Sequence, residues 1–248
     1  MSRRWWQLTA LAPLFLALSA LPALAQTVTV DLGGEGGSST GRIIQLVLLL
    51  TVLSIAPAIL VTVTSFTRII VVLSFLRNAL GLQTTPPNIV LISLALFLTG
   101  FVMAPTMEKS YDDGLAPLIA EKLPEQEALT RAAAPFHDFM IAHVRSEDLQ
   151  LFAGMAKIET IDAPKDVPYR VLLPAFMISE LRRAFEIGFL LFLPFLIIDL
   201  VVASILMSMG MMMLPPVTIS LPFKLIFFVL VDGWYLVAGS LVQSFGGN

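Results

Sequence analysis

"FLLFLPFLIIDLVVASILMSMGMMMLPPVTISLPFKLIFFVLVDGW", residues 189–234, sets two apolar runs on either side of a Met-Pro junction. The first run, Phe185 to Leu214, is interrupted by Glu186, Pro194 and Asp199. The second, Val217 to Phe245, is interrupted by Pro222, Lys224 and Asp232. Each is long enough for a helix to cross a hydrocarbon core, which takes about 20 residues. Prolines inside such runs bend helices at the point where a backbone N–H is missing. The stretch therefore predicts a kinked helical hairpin, with five methionines packed into Met207–Met213 at its turn.

Outward from this hairpin the same character recurs. Ile43 to Val63 is an uncharged apolar run with Pro57 in it, and Ile89 to Ala104 is another, closed by Pro105. Between them lies "TSFTRIIVVLSFLRNALGLQTTPPN", whose Arg68 and Arg77 have no acid nearby in the sequence. Gly81 and Pro86-Pro87 end any helix in that segment. Over the whole chain of 248 residues, 57% are hydrophobic and only 13% are charged. A soluble domain carries about 25% charged residues, so the composition is that of a membrane chain. The net charge of −3 and the lack of a basic patch argue against nucleic acid as a partner. Cysteine is absent, which excludes disulfides, thiolate chemistry and Cys-based metal sites.

Residues 108–183 differ. They hold nine Lys/Arg and thirteen Asp/Glu, with prolines at 117, 124, 135, 164, 168 and 174. Phe136, Phe139, Met140 and Val144 recur at helical spacing, with a break expected at Pro135. This reads as a polar helical domain inserted between membrane segments. At the start of the chain, Arg3 and Arg4 precede an apolar run ending in Ala23-Leu24-Ala25. That is the pattern of a signal peptide cut after Ala25. Gln26 to Gly41 is a Gly/Ser-rich tether. The expected organisation is all-α and polytopic: signal peptide 1–25, tether 26–42, first helical hairpin 43–107, extracytoplasmic helical domain 108–183, second hairpin 184–248. A cleaved signal puts the mature N-terminus outside, and the Arg68/Arg77 segment between the first two runs reads as cytoplasmic. The polar domain then lies outside and the Met-Pro turn inside.

Few residues suggest chemistry. Asp199 and Lys224 lie inside apolar runs, where a lone charge costs several kcal/mol and so is usually paired. They sit at similar distances before and after the turn, so they can pair within one chain or across two copies. A structural salt bridge is favoured over a proton relay, since Asp232 is the one further titratable group in view. His137 and His143 are six apart, not the i, i+4 of a zinc helix. No nucleophile motif, cofactor loop or metal set is present, and no enzyme activity is expected. The methionines have three readings: a soft-metal site, core packing, and an adaptable plug formed by several copies.

Three stretches together, "SFTRIIVVLSFLRNALG" (65–81), the run from Phe189 to Pro216 and "ISLPFKLIFFVLVDGW" (219–234), resemble the FliP family of flagellar export-gate proteins. The resemblance extends from about Ile43 to the C-terminus. Virulence-injectisome relatives are similar, but the signal peptide and the triple methionine point to the flagellar branch. The resemblance implies a pore-forming subunit of the type III export gate, passing unfolded flagellar proteins across the inner membrane at the basal body. It implies a pentamer of like copies together with FliQ and FliR and other parts of the export apparatus. It implies a gasket made by Met211, Met212 and Met213, and a bridge between copies made by Asp199 and Lys224. It also implies kinked hairpins held partly above the bilayer plane in place of four plain spans. The other class of function considered is a proton- or metal-coupled small-solute transporter. Against it stands the lack of an internal repeat.

Overall fold

The computed structural model describes residues 39–158, 163–211 and 214–246. The signal peptide expected over 1–25 lies outside the described residues. The chain divides into two units, Met1–Thr51 and Val52–Asn248. Helix α1, Ser39–Val63, begins in the first unit and has Pro57 inside it. Within the first unit its Ile44 and the run Leu46 to Leu50 are exposed apolar side chains.

Every described element is helical. The second unit continues with α2, Phe66–Ala79, and α3, Asn88–Ser110. A π-helical turn, Tyr111–Leu115, leads into the short α4, Ala116–Ile119. The polar region folds as α5, Glu125–His143, and α6, Ser146–Met155. Then come α7, Tyr169–Ser208, α8, Pro216–Leu230, and α9, Gly233–Gln243. The all-α membrane class read from the sequence is the class observed. Among the described residues, Asn88–Ile119 and Tyr169–Ser208 are each long and apolar enough to cross a bilayer. Counting each bent pair of helices as one span brings the number to four.

Two expectations are corrected. The segment read as a cytoplasmic loop is α2, and it is the centre of the core: Ile69, Val72, Leu73, Leu76 and Ala79 are at most 1% exposed. These residues recur at intervals of three and four, the period of one helix face. The helix was masked in the sequence by its two arginines, which read as loop charges. Prolines 105 and 135 were expected to end or break helices, yet α3 and α5 run through them. A helix loses one hydrogen bond at such a proline, and tertiary packing here carries it. The π turn follows Pro105 closely, and Gly114 within it lies against Ala132 of α5, where an added Cβ would meet backbone at 2.6 Å.

Helix α7 is the frame of the unit. It has 40 residues, hence a length of about 60 Å, roughly twice the hydrocarbon thickness. Its first half is buried along one face by Leu172, Phe176, Ser179, Glu180, Ala184 and Gly188. Gly188 allows close approach, because a Cβ there would lie 2.7 Å from the Phe75 ring. Beyond Phe195 the face opens, and Ile197, Leu200, Val201 and Ile205 are exposed. Residue 183, where the polar domain was expected to stop, lies inside this helix without a break.

Candidate functional site

The end of α7 is set by Gly210, whose φ of +71° is the left-handed geometry that glycine adopts without strain. Met211 N donates to Leu206 O at 3.0 Å and Gly210 N donates to Met207 O at 3.1 Å. This double closure satisfies carbonyls that the helix end would leave open. Pro215 and Pro216 then start α8, where a missing N–H costs nothing. The chain thus leaves α7 at a defined point, with Met209 and Met211 on either side of Gly210. Met207, Met209 and Met211 are 60%, 62% and 44% exposed. Met212 and Met213 lie outside the described residues, so Met211 is the described member of the expected gasket. An apolar cleft of about 430 Å³ opens just behind the turn, lined by Ile197, Val201, Ile205, Ile219 and Phe223.

Deeper along the hairpin the structure brings Asp199 and Lys224 together within one chain. Lys224 Nζ donates to Asp199 Oδ2 at 2.6 Å and to Ala79 O at 3.0 Å. The lysine side chain is 3% exposed and the aspartate 24%. Ala79 is the last residue of α2, so the ammonium also faces the negative end of that helix dipole. The other carboxylate oxygen, Asp199 Oδ1, accepts from Ser220 Oγ. Sequence reading missed both Ser220 and the Ala79 carbonyl. Ser220 is four residues before Lys224, one helical turn, and that spacing was the available signal. Asp232 takes no part: it is exposed, with φ 50° and ψ 53°, at the 65° bend between α8 and α9.

A second buried ion pair was not foreseen. Arg68 Nε donates to Glu180 Oε2 at 2.9 Å, and Nη2 donates to Oε1, a two-pronged pairing. Both side chains are 0% exposed. Nη1 donates to Ser244 O at 2.9 Å and is 3.0 Å from Ser244 Oγ. The guanidinium carbon lies 3.6 Å from the centre of the Phe245 ring, a cation–π contact. Burial lowers the arginine pKa and the bond to Glu180 raises it, and the group stays charged as arginines do. Arg68, read from the sequence as a charge without an acid nearby, is thus paired in the fold with a residue 112 positions away. Arg77 is likewise engaged, donating to Asn88 Oδ1 at 2.6 Å.

The two histidines are separate structural contacts. His137 Nε2 lies 2.8 Å from Val167 O, and His143 Nδ1 lies 2.8 Å from Phe139 O. No group of three or more metal-type side chains occurs among the described residues. What the site offers is mechanical: an apolar hairpin with a soft exposed tip, and a charged clamp that fixes its base.

A sequence profile described as the FliP family matches residues 49–241. Over 244 residues the chain is 59% identical to the flagellar biosynthetic protein FliP of Caulobacter vibrioides, covering 98% of this chain and 91% of that one. It is 57% identical over 211 residues to the protein of that name from Bacillus subtilis, covering 85% and 94%. With the one from Rhizobium meliloti the identity is 50% over 240 residues, covering 94% and 98%.

Proposed function

The chain belongs to the FliP family, and from that premise we propose that it is a pore-forming subunit of the flagellar type III export gate. It is a flagellar biosynthesis protein and a multi-pass component of the bacterial inner membrane at the basal body. Its role there is structural, and no catalytic step is assigned to it. Family membership sets aside the small-solute transporter. In this reading several copies, as a pentamer with FliR and with FliQ, surround a path for unfolded flagellar proteins. The polar region of α5 and α6 lies outside the membrane.

The observation that carries the reading is the tip of the α7–α8 hairpin, where exposed methionines project from a glycine-capped turn between two apolar helices. A channel for many unrelated chains needs a constriction that excludes water when empty and yields when filled. Methionine is unbranched and polarizable, so it repacks at little cost, and an apolar ring can shut a pore by dewetting. Met211, Met212 and Met213 together form that ring. The test is ion leak across the inner membrane of cells carrying all three as alanine, with membrane level and assembly checked. A raised leak in assembled complexes is expected. An unchanged leak with normal export would mean that another element closes the pore.

A further inference from the structure

We propose that Ser220 is a positioning residue of the gate: its hydroxyl turns the Asp199 carboxylate so that the opposite oxygen holds Lys224. The inference rests on the pore reading above. Ser220 is 0% exposed, so its hydroxyl cannot turn to water. Its one proton faces two acceptors, Asp199 Oδ1 and, at 3.1 Å, Val217 O. The carboxylate is the stronger acceptor, since charge-assisted bonds are roughly twice as strong as neutral ones. With Oδ1 held, Oδ2 stays on Lys224 Nζ, and Lys224 in turn reaches the final carbonyl of α2. A relay of four groups thus links α8, α7 and α2.

The relay has an asymmetry that gives the serine its importance. Lys224 is nearly sealed from solvent, while Asp199 is about a quarter exposed. Without the hydroxyl, the partly exposed aspartate has room to turn away from the pair and the sealed lysine does not. The serine therefore decides whether the carboxylate faces inward. Asp199 is eight residues from Met207, about 12 Å along the helix. Loosening the relay frees the base of the arm that carries the methionines.

The experiment uses the full chain, expressed in flagellated cells that lack their own copy. Ser220→Ala, Ser220→Thr, Asp199→Ala and the Ser220→Ala/Asp199→Ala double variant are compared at equal assembly. The readouts are ion leak and the melting temperature of the detergent-purified complex. We expect Ser220→Ala to raise the leak about fivefold, a factor that corresponds to a small change in closed-state stability. Ser220→Thr, which keeps a hydroxyl, returns the leak toward that of the unaltered chain. In the Asp199→Ala background the serine change adds nothing to either readout. Additive effects would reduce Ser220 to packing and overturn the relay. A chain with Met211, Met212 and Met213 as alanine runs alongside. If that chain leaks and Ser220→Ala does not, the relay falls and the pore reading stands. If neither leaks, the methionine gasket falls and takes this inference with it, while normal export in the same cells would leave the pore to be closed by another element.

Discussion

Arg68 shows how a single residue can be misread from its neighbours and decided by distant ones. Its guanidinium is fully buried and bonds Glu180 and Ser244, 112 and 176 positions away. Nothing local marks those partners, so the sequence read the arginine as a loop charge. Breaking a buried pair from one side leaves an uncompensated charge and costs about 3–5 kcal/mol. Arg68→Met and Glu180→Met should each destabilise the purified chain by that amount. The double substitution should cost less than the sum of the two, because it leaves no lone charge. Thermal melting of the three variants in one detergent checks this, and strict additivity would contradict it. Asp199 and Lys224 differ in legibility: a turn midway between them suggested a meeting. Ser220 was hidden because a serine in an apolar helix usually bonds its own backbone.

At the scale of elements, the sequence was most legible where backbone geometry is demanding. Gly81, read from the sequence as a helix end, sits in the left-handed region, as glycines after apolar periods do; Gly210 ends α7 in the same way, though the sequence reading did not use it. The prolines were less informative. Those at 105 and 135 read as stops, but a proline constrains one turn while packing acts along the whole helix. Two further helix ends escaped notice because their left-handed residues are not glycines: Glu121 at φ 53° and Lys157 at φ 57°. Lys157 makes the same closure, with Lys157 N donating to Gly154 O and Ile158 N to Ala153 O. A side chain in this region costs about 1–2 kcal/mol. Lys157→Gly should therefore stabilise the chain by about 1 kcal/mol, and Gly81→Ala should destabilise it by a similar amount. Opposite shifts in melting temperature would bear this out. Shifts of the same sign would mean that these ends are held by something other than backbone strain.

For the whole molecule, the long frame helix matters most. At 40 residues α7 is too long for the bilayer alone, so one rigid element serves both the polar region and the apolar hairpin. The sequence showed the two compositions and suggested two domains; it could not show one helix running through the change. Orientation is open to direct measurement because the natural chain has no cysteine. Lys165 is exposed in the short 3-10 turn Pro164–Asp166. A single Lys165→Cys chain should react with a membrane-impermeant maleimide added to the outside of spheroplasts. Labelling that needs the membrane to be opened first would invert the topology. The closure of the core around Arg68 also has a meaning in time. A ribosome releases Arg68 first, Glu180 much later, and the Ser244–Phe245 clasp later still. During synthesis the nascent chain holds a cation whose partners do not yet exist. A chain stopped before Ser244 keeps that cation incompletely bonded at its centre.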